Sequence, residues 1–246
     1  MSKTILITGA SSGIGKALSM EMARKGYRLG LMARRTEELE AIREEISKLP
    51  GSAQVAVAGL DVTDYAAIFD VIRDLAERLN GFDTIVINAG IGLGEKIGRG
   101  DFEKARRTIE VNLLGAIATA DAAVEHFLKQ GNGHIVGVSS VAAFRGMPRA
   151  SAYSASKAGL ATYLEALRAE TLRKKIDVTV LYPGYIDTPL NDMLPSRPFV
   201  IPVEKGAAII ARLIDKKVKR STVPVFPWNI VGKVLRFLPT GIIARM

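Results

Sequence analysis

The chain of 246 residues contains no cysteine and a single tryptophan. Without cysteine, disulfide frameworks, thiolate metal sites, iron–sulfur clusters and cysteine nucleophiles are excluded. No apolar run approaches the ~18 residues that a membrane-spanning helix needs, and the first residues lack the apolar segment and cleavage region of a signal peptide. We therefore expect a cytoplasmic protein that could contact a membrane only peripherally.

Acidic side chains are scarce relative to basic ones, 25 against 34, which gives a formal net charge of +9. An excess of this size can attract nucleic acid, anionic lipid or an anionic small ligand. The basic residues are scattered, however, and no zinc-finger spacing, basic-zipper heptad or aromatic RNA-binding signature accompanies them. The sequence therefore predicts no nucleic-acid partner, and we expect most of these charges on solvated helix ends and loops.

Short β-branched apolar runs alternate with longer segments of helical periodicity, which is the pattern of βαβ units around a parallel sheet. Strands are predicted at 4–8, 28–33, 54–60, 84–88, 134–139, 177–181 and 222–226. Helices are predicted at 15–25, 37–49, 65–79, 104–130, 152–174 and 203–217. The pattern favours a Rossmann-type, doubly wound α/β fold with a seven-stranded, mostly parallel sheet flanked by helices, because a closed barrel needs eight such units. No linker interrupts it, so residues 1–246 are predicted to form one domain.

A turn rich in glycine and serine follows the first predicted strand and precedes a helix. A doubly wound fold holds a dinucleotide phosphate at this place, where glycines let backbone N–H groups approach it. The spacing is Gly-x-x-x-Gly-x-Gly rather than Gly-x-Gly-x-x-Gly, and a glycine turn can also be simple geometry. The candidate phosphate-binding residues are Gly9, Ser11, Ser12, Gly13, Ile14 and Gly15.

Tyr153 and Lys157 are four residues apart in a predicted helix and therefore share a face. A phenol with a reference pKa of about 10 is a poor base near neutrality. A positive charge ~4 Å away contributes about 4 kcal/mol at an effective dielectric of ~20, which would lower that pKa by at most about three units. The pair is thus a candidate acid/base, and the alternative is a surface tyrosine beside a solvated lysine.

Further residues join this pair in a fixed order: Asn88-Ala89-Gly90 after a strand, Asn112 within a helix and Ser140 at the end of a strand. Together with the glycine turn, they make the sequence from residue 4 to about 188 resemble the short, single-domain branch of the short-chain dehydrogenases/reductases. Each also has a structural alternative: Asn88 as a turn residue, Asn112 as a buried polar group of a helix, Ser140 as a helix cap.

The resemblance implies an NAD(P)-dependent oxidoreductase that interconverts a ketone or aldehyde and an alcohol by direct hydride transfer. By similarity, Tyr153 exchanges a proton with the substrate oxygen and Ser140 orients that oxygen. Lys157 also holds the nicotinamide ribose, and Asn112 anchors a water in the proton path. No metal is required, and the two histidines, His126 and His134, are taken as structural.

The family's other cofactor contacts match further positions of this chain. Asp61 and Val62 correspond to the adenine site, although an aspartate just before a helix can equally be a cap. The triplet at 88–90 is implied to contact the cofactor as well. The loop after the sixth strand resembles the one that covers the nicotinamide, with Pro183, Gly184, Ile186 and Thr188 as the candidate contacts.

The choice of cofactor depends on Ala33-Arg34-Arg35 at the end of the second predicted strand. An acidic residue here would bind the ribose 2′-hydroxyl, but no carboxylate occurs before Glu37. Two guanidinium groups can instead bind a 2′-phosphate. We therefore predict NADP rather than NAD, with carbonyl reduction as the favoured direction, and a solvated arginine pair is the alternative.

Two segments near the end of the chain are less informative. The resemblance places a substrate lid at about 188–202, where Leu190, Met193, Leu194 and Phe199 suggest an apolar pocket but could also pack the lid onto the body. In the extension at about 228–246, apolar residues at helical spacing are interleaved with Lys233 and Arg236, as in an interfacial membrane helix. The apolar positions are Trp228, Val231, Leu235 and Leu238.

For this extension, packing on its own domain or on a partner subunit are the alternatives, and Pro239 with Gly241 should break any helix. A homodimer or homotetramer is expected from the family, through the helices at 104–130 and 152–174. Two functional alternatives stay open: a non-catalytic cofactor-binding scaffold or regulator, and a lipid-metabolism reductase at a membrane surface.

Overall fold

A computed structural model describes residues 3–51, 53–192 and 196–244. Its central feature is a seven-stranded sheet in the order β3-β2-β1-β4-β5-β6-β7, in which every pairing is parallel. The strands are β1 (Thr4–Thr8), β2 (Arg28–Ala33), β3 (Val55–Gly59), β4 (Thr84–Ile87), β5 (Gly133–Val138), β6 (Ile176–Pro183) and β7 (Arg220–Val223). The predicted doubly wound α/β fold is thereby confirmed.

Helices connect the strands and cover both faces of the sheet. They are α1 (Gly13–Arg24), α2 (Thr36–Ser47), α3 (Tyr65–Arg78), α4 (Phe102–Ile109), α5 (Gly115–Gln130), α6 (Ser151–Thr171), α7 (Val203–Asp215), α8 (Trp228–Phe237) and α9 (Thr240–Ile243). Successive residues of a strand point to opposite faces, so Leu6 of β1 packs with α3, α5 and α6, whereas Ile5 and Ile7 pack with α1, α2 and α7.

The strand order reverses at β1. Strands β2 and β3 follow on one side of β1, and the chain then returns to place β4 on its other side, followed by β5, β6 and β7. In open α/β sheets, the crevice outside the carboxyl ends of the strands at such a reversal is where ligands bind. The candidate residues after β1, β4, β5 and β6 therefore converge on one edge of the sheet. Within the three described ranges, no helix is long and apolar enough to cross a bilayer.

The predicted single helix at 104–130 was wrong in one respect: a π-helical turn, Glu110–Leu114, separates α4 from α5. Such a turn inserts one residue into the helical repeat, a local irregularity that the spacing of apolar residues does not reveal. The predicted strand at 222–226 was also displaced, since β7 ends at Val223. Pro224 follows it and has no N–H to continue the ladder.

The remaining boundaries differ by a few residues. Helix α1 begins at Gly13 rather than at residue 15, and α6 and α7 end at Thr171 and Asp215, before the predicted 174 and 217. Strand β6 runs on to Pro183 because Tyr182 and Pro183 still align with β7. Each of these corrections moves an end and leaves the order of elements unchanged.

Candidate active site

The glycine turn between β1 and α1 is so close-packed that larger residues do not fit. A Cβ atom at Gly15 would lie 2.3 Å from the Gly9 carbonyl oxygen, and one at Gly9 would lie 2.8 Å from the Ala89 Cα. Gly9 also has a φ of +66°, in the left-handed region that favours glycine. The predicted turn is therefore built from glycine for steric reasons.

Helix α1 starts directly at this turn. Ser12 occupies its N-cap position and makes no capping hydrogen bond with its side chain. Helix geometry leaves the N–H groups of the first turn, which includes Ile14, without intrahelical acceptors. These donors and the dipole of α1 form a site suited to a phosphate group.

The side chain of Asn88 braces the glycine turn. Its Nδ2 donates to the carbonyl oxygens of Thr8 at 3.0 Å and Gly9 at 3.1 Å. The backbone N–H groups of Asn88 and Ala89 both donate to the Thr8 hydroxyl, at 3.0 and 3.1 Å. Asn88 thus supports the turn between β1 and α1, which agrees with the alternative in which Asn88 is a turn residue.

Charged residues cluster after β2 and β3, beside the glycine turn. Arg35 Nη2 donates to the Ser11 hydroxyl at 3.0 Å, and Arg34 Nη1 lies 3.9 Å from Asp61 Oδ2. Asp61 is paired more closely with Arg107, whose Nη2 lies 3.0 Å from the same oxygen. Arg35 therefore contacts the glycine turn and Arg34 lies near Asp61, while Arg107, 46 residues beyond Asp61, is a neighbour that the sequence pattern missed.

Asp61 does not cap a helix, so that alternative was wrong. Its Oδ1 accepts from the N–H and hydroxyl of Thr63, at 3.0 and 2.8 Å, whereas α3 is capped by Asp64. Burial alone would raise the pKa of Asp61, but the bonds from Thr63 and Arg107 outweigh it and hold the pKa below its usual value. Val62, which follows, is buried against Gly115 at the start of α5.

Ser140, Tyr153 and Lys157 come together beyond the carboxyl end of β5. Ser140 precedes a 3-10 turn, Val141–Phe144, and its Oγ accepts from Ala142 N at 3.1 Å. Lys157 is 4% exposed, and its Nζ lies 5.9 Å from the centre of the Tyr153 ring. The predicted helical face shared by Tyr153 and Lys157 is present.

The electrostatics of this group differ from the sequence-based estimate. Burial raises the pKa of Tyr153, and hydrogen bonding with Ser140 only partly opposes the rise. Lys157 Nζ donates to the Val138 carbonyl oxygen at 2.9 Å, and burial lowers the pKa of this ammonium to about 8. The expected lowering of the Tyr153 pKa by Lys157 is therefore absent in the chain alone, because desolvation prevails.

Asn112 lies within the π-helical turn and is completely buried. Its Oδ1 accepts from Ile91 N and its Nδ2 donates to Ile91 O, both at 2.8 Å, while Nδ2 also reaches Ser156 Oγ at 3.2 Å. Gly90 is next to it, and a Cβ at Gly90 would lie 3.2 Å from Lys157 Nζ. Asn112 thus fastens the loop after β4 beside the catalytic candidates.

The loop after β6 closes over the glycine turn. Thr188 is buried, its Oγ1 donates to Ile186 O at 3.3 Å, and a Cβ at Gly13 would lie 3.4 Å from the Thr188 Cβ. Pro183 ends β6, and Gly184 N donates to Val223 O at 2.9 Å. Thr188 therefore lies against the glycine turn, whereas Gly184 is bonded to β7.

Of the predicted lid residues, Leu190 and Phe199 are 43% and 57% exposed. The Leu190 side chain approaches Gly92, beside the Tyr153 ring, and Phe199 packs against Trp228 with ring centres 5.9 Å apart. Met193 and Leu194 lie outside the described residues. Leu190 thus contacts the edge of the candidate site, and Phe199 contacts the body of the protein.

Helix α8 contributes a surface to this region that sequence reasoning did not assign to the site. Trp228 is 3% exposed and packs on the glycine of the Pro183-Gly184 loop and edge-on to Tyr185, with ring centres 5.8 Å apart. Gly232, one turn later, lets α8 contact Phe144 in the turn after Ser140. The sequence did contain one sign of this contact: Gly232, a small residue among the apolar positions of the helix that begins at Trp228, allows close approach of another element.

The extension therefore packs on its own domain along one face. Trp228 and Leu235 are buried, whereas Ile230, Val234 and Phe237 on the other face are 54%, 51% and 86% exposed. A break at Pro239 separates α8 from the short α9, as Pro239 predicted, whereas Gly241 lies within α9 and breaks no helix, so that part of the prediction was wrong. Arg245 and Met246 lie outside the described residues.

Neither histidine lies near this chemistry. His134 is buried in β5 and its Nε2 is 2.8 Å from Thr179 Oγ1, while His126 stacks on Phe82 with ring centres 4.3 Å apart. Burial lowers the pKa of both, that of His134 to about 4. In the described part of the chain, no group of three or more histidine, aspartate or glutamate side chains could hold a metal ion.

A family model described as short chain dehydrogenase matches residues 3–198. The chain belongs to the short-chain dehydrogenase/reductase family. It is therefore an oxidoreductase, and the family implies a nicotinamide dinucleotide cofactor, NAD or NADP. The N–H groups at the start of α1, next to Gly9 and Gly15, fit the phosphates of such a cofactor, because they can donate hydrogen bonds to an anion and the Ser12 side chain does not cap this helix.

Full-length relatives support the membership. An uncharacterized oxidoreductase of Mycobacterium tuberculosis is 37% identical over 242 residues, covering 98% of this chain and 96% of the relative. An uncharacterized oxidoreductase of Myxococcus xanthus is 37% identical over 229 residues, covering 93% and 88%. Among solved structures, an alcohol dehydrogenase from Thermococcus sibiricus complexed with 5-hydroxy-NADP superposes with a TM-score of 0.81 at 28% identity, covering 90% of this chain and 96% of that one.

Proposed function

We propose that residues 1–246 form a single catalytic domain that uses NADP(H) to interconvert a ketone or aldehyde and an alcohol. The observation that carries the proposal is the convergence of Ser140, Tyr153 and Lys157 at one edge of the sheet, beside the glycine turn. When bound, NADP(H) supplies the hydride that passes directly to or from the substrate carbon. The protein's residues supply position and the proton.

Tyr153 is the proposed acid/base. In the chain alone its raised pKa keeps the phenol protonated at neutral pH, which is the form that donates a proton to a substrate oxygen during reduction. Ser140, which interacts with the Tyr153 hydroxyl, would orient the same oxygen. Lys157, charged below about pH 8, would hold the nicotinamide ribose and favour the phenolate once Tyr153 has given up its proton.

Asn112 supports this arrangement through the backbone of Ile91. We propose that it also anchors the water through which Tyr153 exchanges its proton with solvent. The remaining cofactor contacts follow the crevice: the phosphates at Gly9–Gly15 with Ser11 and Ser12, the adenine at Asp61 and Val62, and the nicotinamide at 88–90 and at the loop 183–188.

NADP is the proposed cofactor because of charge at the adenine end. Arg34 has a side chain 63% exposed, and the Arg35 guanidinium is bonded to Ser11 in the turn that would hold the phosphates. Two cations at this position can pair with a 2′-phosphate. Asp61, the acidic residue of the region, already has its carboxylate bonded to Thr63 and Arg107.

The direct test is oxidation of NADPH, followed by absorbance, with ketones and aldehydes of graded chain length and with Tyr153→Phe beside the wild type. We expect turnover by the wild type and its loss by ~10² to 10⁴-fold in the variant, the usual contribution of general acid catalysis. NADPH binding should be retained in both. Wild-type protein that binds NADPH but turns over no carbonyl would favour the non-catalytic scaffold instead.

A second candidate is a reductase that acts on apolar substrates at a lipid surface. It is supported by the exposed stripe of Ile230, Val234 and Phe237 on α8, with Lys233 and Arg236 beside it. The test is cosedimentation with vesicles of anionic phospholipid, compared with zwitterionic vesicles and with Phe237→Ser. If wild-type protein stays in the supernatant with anionic vesicles, this candidate is rejected.

We also propose a homodimer or homotetramer formed through α5 and α6. The support is family resemblance together with apolar side chains at the ends of α5, where Leu114 and Leu128 are 43% and 47% exposed. Light scattering of the eluting protein gives its mass directly. A mass equal to one chain at micromolar concentration would contradict the proposal.

A further inference from the structure

Glu95 is a buried acidic residue that the assignments above leave unused. It lies in the loop between β4 and α4 and is 5% exposed. Its Oε1 accepts from the Ser151 hydroxyl at 2.7 Å and from Ala152 N at 2.5 Å. Its own backbone N–H donates to Arg149 O at 3.1 Å. Both the side chain and the main chain of Glu95 are thus bonded to the start of α6.

These bonds act as a helix cap supplied from 57 residues away in the sequence. The N-cap residue of α6 is Ala150, which has no side-chain acceptor. The N–H of Ala152 would otherwise be a buried donor without a partner, which costs about 1–3 kcal/mol. A carboxylate here also interacts favourably with the helix dipole.

The backbone just before α6 adopts a conformation that needs support, whereas the glycine before Glu95 adopts its positive φ freely. Arg149, just before α6, has a φ of +61°, and Gly94, just before Glu95, has a φ of +64°. A non-glycine residue in the left-handed region costs of order 1 kcal/mol and persists only where its surroundings fix it. The bond from Glu95 N to Arg149 O fixes the carbonyl of that residue.

The segment that ends at Glu95 also passes along the Tyr153 ring. Its first residue, Ile91, is bonded through both backbone groups to Asn112. A Cβ at Gly92 would lie 3.6 Å from Tyr153 Cδ2, so this glycine lies against the phenol ring. The segment 91–95 is therefore fastened at one end by Asn112 and at the other by Glu95, with Tyr153 beside the span.

We propose that Glu95 is a positioning residue, which fixes the first turn of α6 and the segment 91–95 so that the Tyr153 hydroxyl meets Ser140 and the substrate oxygen. The proposal rests on the role of Tyr153 proposed above. Tyr153 follows Ala152 directly, so a shift of the first turn moves the phenol. A misplacement of ~1 Å in a reacting group can lower the rate by about 10²-fold.

The test compares Glu95→Ala with Glu95→Gln. Both variants are neutral at position 95, but the glutamine keeps a side-chain oxygen that can accept from Ser151 and Ala152, and the alanine does not. We expect kcat with a carbonyl substrate to fall by about 10 to 10²-fold in Glu95→Ala and by less than about threefold in Glu95→Gln. The Kd for NADPH, measured by fluorescence, should change by less than about threefold in either.

A second readout needs no turnover. The ionisation of Tyr153 is followed by ultraviolet absorbance as the difference between each protein and the same protein carrying Tyr153→Phe. If Glu95→Ala loosens the contact with Ser140, its Tyr153 pKa should be higher than that of Glu95→Gln, because this contact lowers it. This comparison stands even if no substrate is found.

Two outcomes would overturn the inference. In one, both variants have the wild-type kcat and the same Tyr153 ionisation, so Glu95 does not position the phenol. In the other, Glu95→Ala loses kcat and NADPH affinity together with its melting transition, so the residue serves stability alone. Wild-type protein that reduces no carbonyl would instead count against the proposed function, and the ionisation data would still decide the role of Glu95.

Discussion

Lys157 Nζ lies 5.9 Å from the centre of the Tyr153 ring and donates its hydrogen bond to the carbonyl oxygen of Val138 at 2.9 Å. The charge is held inside the protein, where burial lowers its pKa to about 8. A buried cation without a carboxylate partner is unfavourable for folding. Lys157 is therefore proposed to act in catalysis, while its burial lowers the stability of the folded protein.

We predict that Lys157→Met abolishes turnover and raises stability. Lowering a lysine pKa from 10.5 to about 8 corresponds to roughly 3 kcal/mol of destabilisation at neutral pH. Losing the bond to Val138 offsets about 1 kcal/mol of that gain. At ~2–4 °C per kcal/mol for a chain of this size, the melting temperature should rise by about 4–8 °C.

The same pKa gives a pH test in the wild type. Between about pH 8 and 10.5 the unfolded chain still binds the lysine proton that the folded chain has released. Stability from this group therefore rises with pH across that window and is constant below it. Lys157→Met should lack this rise in denaturant unfolding. Lys157→Arg stays charged at every pH in this window, so it should also lack the rise but should not gain melting temperature. An unchanged melting temperature in Lys157→Met would contradict the prediction.

We predict that replacing Arg34 and Arg35 together by alanine lowers kcat/KM for NADPH by about 10² to 10³-fold. A hydrogen bond to a charged group contributes about 1.5–3 kcal/mol, and both guanidinium groups are proposed to bind the 2′-phosphate. The kcat/KM for NADH should change by less than about threefold, since NADH lacks that phosphate. Arg73→Ala, an exposed arginine paired with Asp70 on α3, is the control. Equal losses with both cofactors would refute the assignment of these arginines.

We predict that His134 makes the protein less stable as the pH falls. Its folded pKa is lowered to about 4, so between 6.5 and about 4 the unfolded chain binds a proton that the folded chain excludes. The free energy of unfolding should decrease through this window by up to about 3 kcal/mol. His134→Gln should remove most of this decrease from a plot of unfolding free energy against pH. His126→Gln measures how much the other histidine, whose pKa is also lowered, contributes to the same decrease. If the unfolding free energies of His134→Gln and the wild type depend on pH in the same way, His134 is not the cause of the acid destabilisation.

We predict that Gly184→Ala disturbs the substrate side of the site through Trp228. The new methyl group would lie 2.0 Å from Trp228 Nε1, so α8 must shift. Overpacking of this kind typically costs about 1–3 kcal/mol in unfolding free energy. In a double-mutant cycle, Trp228→Leu should remove most of that additional cost. Gly241→Ala, with no atom within 4 Å of the added Cβ, is the control. Additive effects of the two substitutions would contradict a direct collision.

Local periodicity was sufficient to predict the fold. Buried parallel strands such as β1 and β5 are continuous apolar runs, and α2 and α3 repeat their apolar residues at helical spacing. The π-helical turn around Asn112 escaped detection because it adds one residue without changing the apolar pattern. The ends of β6 and β7 also depended on how the two strands pair.

For the site, the sequence by itself determined the residues that stand close together along the chain. Tyr153 and Lys157 share a face because one helical turn separates them, and the glycines at 9–15 mark the turn between β1 and α1. Only the tertiary structure decided which distant residues join them. Glu95 reaches the start of α6, Arg107 pairs with Asp61, and Trp228 packs on Gly184. Such contacts form when elements pack side by side, and no spacing along the chain encodes them.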